Sequence, residues 1–347
     1  NKLPIMSSKR VSVMLQGGDV VEAQAPVIVS ASRYTDIPAW YSDWFLQRLK
    51  AGYMLWRNPY NAKRSYVAFQ DMRLVVFWSK NPESLLASGG CLDYLAEHDI
   101  NSYIHFTLND YEGLGLEPNI PPLQQRIDTF KRLVDRLGYG KVIWRFDPMI
   151  LTKEMGVNEL LDRVDGVACQ LKGYSEKLVF SYANIKRARH VSANMKRANI
   201  KVHEIKERDM HDIAMGLQQL NMSYGFRLAS CCETIDLGQY GIEHNRCIDD
   251  ELIVKYFSYD RPLMKHLGVE VATGDLFDSG SLCIRHKNNR DRQRRGGCGC
   301  VVSKDIGQSD TCMHMCTYCS SNTSKQQITF NYKMHLKTPT SSTINGK

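Results

Sequence analysis

The sequence has no apolar run that approaches the roughly 18 residues of a membrane-spanning helix, which argues against a membrane protein. It has no P-loop and no G-x-G-x-x-G after an apolar run, so the common phosphate-binding turns are missing. No Ser–His–Asp arrangement can be argued from the order of its residues. Residues 1–10 lack the basic-then-apolar order of a secretory signal. These absences together favour a cytoplasmic protein.

The composition is that of a globular protein with an excess of positive charge. Of 347 residues, 43% are hydrophobic and 24% are charged, and one α/β barrel would fill this length. The net charge is +8, and part of it is concentrated in Arg285–Arg295 (RHKNNRDRQRR). Such a run attracts a polyanion such as nucleic acid, or it forms a solvated loop. An anionic substrate or a nucleic acid is therefore an expected partner, and a membrane is not.

Apolar runs alternate with helix-like segments from residue 26 onward. The strand candidates are Val27–Ser32, Leu74–Lys80, Ser102–Leu108, Lys141–Asp147, Leu178–Tyr182, Phe226–Cys232 and Cys300–Ile306. The helix candidates are Trp40–Lys50, Pro82–His98, Pro121–Leu137, Val157–Leu171, Val191–Ala198 and Met210–Leu220. This alternation predicts an α/β fold with a parallel sheet, in the form of a partial TIM-type barrel over residues 26–322. Residues 1–25 predict an N-terminal hairpin extension, and residues 323–347 predict a poorly ordered polar tail.

The apolar runs stop in side chains that are able to do chemistry. In chain order these are Ser32, Arg33, Asp36, Lys80, Asn81, Arg145, Asp147 and Glu233. Active sites of parallel α/β barrels lie at the carboxyl ends of the strands. We therefore take Ser32 as a cofactor-binding candidate and the other seven as catalytic candidates. Polar loops are common in any fold, and Arg145 and Asp147, two apart on one strand face, would pair in a structural role as readily as in a site.

A cysteine-rich segment, residues 298–319, holds five of the eleven cysteines. In a reducing compartment such clustering favours metal or redox chemistry over disulfides. Cys312, Cys316 and Cys319 form C-x3-C-x2-C, and three thiolates on one loop can hold a [4Fe–4S] cluster whose fourth iron stays open. Zinc, which prefers C-x2-C pairs such as the last two of these cysteines, is the main alternative, and inert cysteines are another.

This spacing is similar to the cluster loop of radical S-adenosylmethionine (SAM) enzymes. In that superfamily SAM binds the open iron and is cleaved to a 5′-deoxyadenosyl radical, so the resemblance implies SAM as a cofactor and a reductant such as flavodoxin or ferredoxin. The residue before the last cysteine is usually aromatic there. Tyr318 occupies that place and would lie near the adenine of SAM.

Four more cysteines could form a second metal site: Cys231, Cys247, Cys298 and Cys300. Four thiolates would fully ligate a second iron–sulfur cluster or a structural zinc. Buried cysteines also act as small apolar residues, and that interpretation is preferred for Cys91, Cys169, Cys232 and Cys283.

The chain as a whole resembles the bacterial DUF1848 proteins over nearly all of residues 26–322. The resemblance rests on these blocks: SASRYTDIPAWY, RNP, FWSKNP, HFTLNDY, VIWRFDP, CCETIDLGQYGI, CIDDEL and CGCVVSKDIGQSDTCMHMCTYC. It implies a radical SAM branch whose cluster loop lies at the C-terminal end. The last block also resembles, locally, the cluster loop of spore photoproduct lyase, a DNA-repair enzyme.

Radical SAM proteins normally carry the cysteine triplet after their first strand, whereas here it follows the last strand candidate. We therefore predict a circular permutation in which Cys300–Ile306 lies beside Val27–Ser32. The expected function is that of a radical SAM enzyme with an unknown reaction. The alternatives are a non-catalytic iron–sulfur or zinc protein that binds nucleic acid, and a DNA-lesion lyase similar to spore photoproduct lyase.

Overall fold

Strands and helices alternate along most of the chain, as the apolar pattern predicts. The computed structural model describes residues 9–59, 61–187, 189–271, 283–285, 290–291 and 298–346. The strands are β1 (Lys9–Met14), β2 (Val20–Ala25), β3 (Ile28–Ala31), β4 (Tyr53–Arg57), β5 (Arg64–Ala68), β6 (Leu74–Ser79), β7 (Asn101–Thr107), β8 (Val142–Met149), β9 (Leu151–Thr152), β10 (Lys177–Tyr182), β11 (Val202–His203), β12 (Arg227–Ser230), β13 (Ile242–His244), β14 (Val269–Val271), β15 (Cys283–Arg285) and β16 (Lys304–Asp305). The helices are α1 (Ile37–Trp40), α2 (Ser42–Ala51), α3 (Cys91–Glu97), α4 (Leu123–Leu137), α5 (Val157–Leu171), α6 (Arg189–Arg197), α7 (Glu207–Asn221), α8 (Asp250–Phe257), α9 (Arg261–Leu267) and α10 (Lys325–Lys337).

The main sheet has eight strands in the order β13-β12-β10-β8-β7-β6-β3-β16. Every pairing in it is parallel. The predicted α/β fold with a parallel sheet is therefore confirmed. Within the described residues β13 and β16 each pair on one side only, so the sheet is open and does not close into a barrel.

The strand that precedes the cysteine triplet lies at one edge of this sheet. β16 pairs in parallel with β3, with Lys304 opposite Val29 and Asp305 opposite Ser30. It is shorter than the predicted Cys300–Ile306, because Val301 instead forms an isolated antiparallel bridge with Arg290. The last strand of the sheet thus lies beside the first, although 272 residues or more separate their sequences.

Both faces of the main sheet are covered, which explains why its strands read as continuous apolar runs. One face contributes Val29, Phe77 and Trp144 to a core shared with the helices from α2 to α7. The other contributes Ile28 and Val76 to a core that includes side chains of α8 and α9. Among the described residues, no helix combines the length and the apolar character needed to cross a bilayer.

The predicted N-terminal hairpin is present and belongs to a second sheet. β1 and β2 pair antiparallel across a turn in which Gly18 has a φ of 89°, a value that favours glycine. β2 then pairs in parallel with β5, which pairs antiparallel with β4. The hairpin is thus part of a four-stranded sheet of order β1-β2-β5-β4.

The polar tail at 323–347, which the composition predicts to be poorly ordered, contains helix α10 in the structure. Ser324 caps α10 by accepting a hydrogen bond from the Gln327 N–H at 3.1 Å. Ile328 and His335, two turns apart on the same face of the helix, are buried. The ring of His335 packs edge-on against Tyr41, with centroids 4.6 Å apart. The polar composition concealed this face because histidine and asparagine supply much of it.

Gly307, just after β16, should not tolerate a side chain. An added Cβ would lie 1.8 Å from Ser32 Oγ, which can rotate away, and 2.6 Å from Ser32 Cβ, which cannot. Gly307→Ala should therefore lower the free energy of unfolding by about 1–3 kcal/mol, the usual cost of overpacking. Gly166→Ala, inside α5 with no atom within 4 Å of the added Cβ, should be neutral or stabilising by up to about 1 kcal/mol. Urea unfolding measures both, and equal midpoints would contradict the prediction.

Candidate functional site

A cavity of about 460 Å³ lies at the carboxyl ends of the parallel strands. It brings together most of the sequence-predicted site residues. Those that line it are Ser32, Arg33, Asp36, Lys80, Arg145, Asp147, Cys231, Cys247, Cys298, Cys300, Cys312, Cys316, Tyr318 and Cys319. Asn81 and Glu233 are not among its lining residues: the Asn81 N–H donates to Ser79 Oγ, and Glu233 accepts from the Tyr182 N–H.

A larger cavity of about 650 Å³ lies at the opposite ends of the strands, beside Arg73, Asn101 and Asp260. None of the predicted site residues lines it. Since active sites of parallel α/β folds lie at the carboxyl ends of the strands, the smaller cavity is the better candidate.

The loop that carries the cysteine triplet is tied down on several sides. The Tyr41 hydroxyl donates to the carbonyl of Thr311 at 2.6 Å, and the Thr317 N–H donates to the carbonyl of Leu116 at 3.0 Å. The Asn322 amide donates to the carbonyl of Cys312 at 3.0 Å. These contacts hold the loop against segments that follow β3 and β7. The loop conformation is therefore set by residues remote from it in sequence.

Burial dominates the acid–base behaviour of the triplet. It raises the pKa of Cys312 to about 12, and it also raises the pKa values of Cys316 and Cys319. Without a metal these thiols are therefore protonated at neutral pH. A bound metal deprotonates a coordinating thiol outright, so three thiols on the wall of one cavity, with Cys316 buried and Cys312 and Cys319 half-buried, fit a metal centre chemically.

His314, inside this loop, is buried and does not face solvent, contrary to the simplest expectation for a loop histidine. Its Nε2 lies 2.7 Å from Asp36 Oδ2, and its Nδ1 lies 3.1 Å from the carbonyl oxygen of Asn119. Both partners are acceptors, so both ring nitrogens donate only when the imidazole is protonated. Asp36 also accepts the Lys80 N–H at 2.7 Å and so joins the triplet loop to the ends of β3 and β6.

Lys80 forms a buried ion pair with a residue that the sequence did not single out. Its Nζ lies 2.8 Å from Glu117 Oε1, which also accepts hydrogen bonds from Asn109 and from the Tyr318 hydroxyl. Burial raises the pKa of Glu117, but the charges of Lys80 and Arg126 outweigh burial and hold this pKa below its usual value. Glu117 lies in a loop without any strand or helix pattern, so no sequence signal could have identified it.

Two guanidinium groups flank the Trp78 ring. The Cζ atoms of Arg33 and Arg145 lie 4.6 Å and 5.3 Å from its centroid, and His105 stacks on it at 4.3 Å. Burial, followed by the charge of Arg145, lowers the pKa of His105 to about 3, so this ring is neutral. The predicted pairing of Arg145 with Asp147 is present, with Nε and Nη2 donating to Asp147 Oδ2 at 3.1 Å and 2.5 Å.

The other four predicted cysteines lie together on the same cavity wall. The sulfur atoms of Cys231 and Cys247 are 3.4 Å apart, and the thiol of Cys298 lies beside that of Cys300. Cys232 joins them, with its sulfur 3.9 Å from that of Cys231. The interpretation of Cys232 as a packing residue is therefore wrong: it is exposed, lines the cavity and has a left-handed φ of 60°. The Cys169 thiol is also exposed, whereas Cys91 is buried as expected.

Two sequence predictions fall outside the described residues. The structure describes only residues 285, 290 and 291 of the basic run 285–295, so Arg292, Arg294 and Arg295 are not covered, and neither is the Cys283 side chain. Among the described residues, no group of three or more His, Cys, Asp and Glu side chains converges so as to hold a single metal ion. A cubane cluster places each thiolate on a different iron, so its ligands need not converge in this way.

The family of the chain follows from comparison with known proteins. Residues 28–321 match the family described as "Domain of unknown function (DUF1848)". No curated protein matches the chain, and no solved structure does. The matched range contains the eight strands of the main sheet and every cysteine of the cavity wall. The chain therefore belongs to the DUF1848 family.

Proposed function

We propose that this protein is a radical SAM enzyme in which Cys312, Cys316 and Cys319 hold a [4Fe–4S] cluster. The observation that carries the proposal is the position of these three thiols on the wall of one cavity at the carboxyl ends of a parallel sheet. Such a cluster, when reduced, supplies the electron that cleaves SAM to a 5′-deoxyadenosyl radical. A flavodoxin or a ferredoxin would serve as the reductant.

The described residues fit this group in number and in setting. The loop offers three thiols and no fourth, which leaves one iron open for SAM. The cavity volume of about 460 Å³ lies within the range of sites that bind small molecules. The parallel pairing of β16 with β3 supports a circular permutation, because it brings the strand before the triplet beside the first strand of the sheet. We keep the permutation as part of the proposal.

The chain's own residues would orient the ligands and keep water out. Tyr318 lines the cavity and is fixed through its hydroxyl to Glu117, so its ring offers a rigid surface beside the cluster. The cations on the wall are paired, Lys80 with Glu117 and Arg145 with Asp147. Paired charges cost less to desolvate when a ligand closes the cavity, and they hold the side chains in place.

The proposal is tested by reductive cleavage of SAM. Protein purified without oxygen and reconstituted with iron and sulfide should, on addition of dithionite and SAM, release 5′-deoxyadenosine that mass spectrometry detects. Cys316→Ser should reduce this yield by about 100-fold or more. Loss of a residue that only supports a metal ligand already costs up to about 100-fold, and Cys316 is proposed as a ligand itself. Cys169→Ser, which alters an exposed thiol on α5, should leave the yield unchanged.

Iron and sulfide must be counted on the same samples. No 5′-deoxyadenosine from wild-type protein that retains iron at the triplet would overturn the proposal. An equal yield from Cys316→Ser and from wild type would overturn it as well, because the radical would then arise elsewhere.

A further inference from the structure

The second group of cysteines is surrounded by hydrogen-bond donors that point at sulfur. Cys247 Sγ accepts from the Asn245 amide at 3.1 Å and from Arg145 Nη1 at 3.4 Å. Cys300 Sγ accepts from the N–H groups of Cys247 and Ile248 at 3.2 Å and 3.4 Å. A neutral buried thiol packs as a small apolar residue and needs no such donors. Four N–H groups directed at two sulfur atoms are the surroundings of thiolates that carry charge.

Positive charge is arranged around the same sulfur atoms. The guanidinium of Arg145 is buried and contacts Cys247, as described above. The guanidinium of Arg33 lines the same cavity wall, and its Nη2 is buried without a hydrogen-bond partner in the described structure. A buried guanidinium N–H without a partner is costly unless an acceptor is supplied. A negatively charged centre bound between these side chains would supply it.

We infer that Cys231, Cys247, Cys298 and Cys300 hold a second [4Fe–4S] cluster that opens on the same cavity. Cys232 is a neighbouring thiol that the cluster does not require. Cys247 and Cys300 are only 4% and 2% exposed and receive the N–H···S bonds, whereas Cys232 is exposed. Hydrogen bonds to sulfur and nearby cations are the usual means by which a protein stabilises such a cluster.

A structural zinc fits this site less well than a cluster. Structural zinc sites are built mainly from pairs spaced C-x2-4-C, whereas this group contains the C-x-C pair Cys298 and Cys300 and the adjacent Cys231 and Cys232. A cubane spreads its four ligands over four irons and tolerates such spacing. Four thiolates also leave no open iron, so this centre should not bind SAM.

The inference does not depend on SAM cleavage, and iron counting separates the two centres. Reconstituted wild type should hold about eight irons and eight sulfides per chain, since each cubane holds four. The triple variant Cys312→Ala, Cys316→Ala, Cys319→Ala should retain about four of each, and so should the double variant Cys247→Ala, Cys300→Ala. Cys232→Ala is the matched control and should retain all eight. Far-ultraviolet circular dichroism verifies that each variant is folded.

Electron paramagnetic resonance gives an independent readout. After reduction, the triple variant should show a [4Fe–4S]⁺ signal that SAM leaves unchanged, whereas the signal of the double variant should shift with SAM. A folded triple variant without iron would overturn the inference. So would about four irons and one zinc in wild type, or loss of four irons in Cys232→Ala. The absence of SAM cleavage with eight irons bound would overturn only the proposed function.

Discussion

Replacing Asp36 with alanine should lower the free energy of unfolding by about 3–5 kcal/mol, because it removes a buried acceptor of four hydrogen bonds. The carboxylate is 6% exposed and accepts four hydrogen bonds from three parts of the chain. The donors are the Ala39 N–H, Ser79 Oγ, the Lys80 N–H and His314 Nε2. The substitution would leave the His314 ring and two main-chain N–H groups without their acceptor and would release the triplet loop from β3 and β6.

Asparagine at this position should be nearly as harmful, which makes it a sharper test than alanine. Oδ1 of Asp36 accepts the N–H of Ala39, and Oδ2 accepts the N–H of Lys80. An amide has only one oxygen, so in either orientation its NH2 group would face a main-chain N–H. Conservation of shape therefore does not conserve the hydrogen bonds.

Urea unfolding, followed by circular dichroism, measures both Asp36 variants. Asp162→Asn, on the exposed face of α5, is the control and should change stability by no more than about 0.5 kcal/mol. An Asp36→Asn variant as stable as this control would show that the carboxylate does not hold the loop. The iron content after reconstitution should fall in the same order as stability, because the loop that carries the triplet depends on this contact.

Most of the main sheet could be predicted because its strands are buried on both faces. A continuous apolar run that stops in polar residues identified β6, β7, β8 and β10 to within a residue or two, and the 3.6-residue period gave α5 with the bounds Val157–Leu171. These signals are local. Each strand is recognised from a few neighbouring residues. The helices that cover the two faces of the sheet are recognised from their own local pattern in the same way.

The site could be predicted only in part, because its contacts are not local. Asp36 and His314 are 278 residues apart in sequence, and Lys80 and Glu117 are 37 apart in segments with no shared periodicity. Sequence reasoning found the residues at the ends of strands, since parallel strands bring their carboxyl ends together. It could not find Glu117 or the role of Cys232, which depend on how loops fold over that edge.

One arrangement connects the two thiol groups with the ends of the strands. The triplet loop follows β16 at one edge of the sheet, whereas Cys231 follows β12 near the other edge. Both lie on the wall of the same cavity, with Arg33, Trp78 and Arg145 also on that wall. An open parallel sheet whose two edges both supply thiols would place two centres around one substrate. This is why the two proposals concern a single cavity and remain separable by experiment.

Lys80→Met should lower the free energy of unfolding by about 3–5 kcal/mol, because it would leave Glu117 charged and buried without its partner. The side chains of Lys80 and Glu117 are 17% and 4% exposed. Glu117→Gln should also destabilise, whereas the double variant should be more stable than the sum of the two losses predicts, by about 1–3 kcal/mol of coupling. The exposed pair Lys186 and Glu204, 74% and 57% exposed, is the matched control. Its Lys186→Met variant should cost at most about 1 kcal/mol.

The pH dependence gives a second measure of the same pair. The pKa of Glu117 is held below its usual value, so its pairing stabilises the fold above the unfolded pKa of about 4.3 and is lost as the pH falls through the folded value. The difference in stability between wild type and Lys80→Met should therefore be largest near neutral pH and should shrink below about pH 4. A difference that is independent of pH, together with additive losses in the double variant, would mean that the Lys80 stem acts by packing alone. In that case the salt bridge would not be what fixes Tyr318 beside the cysteine triplet.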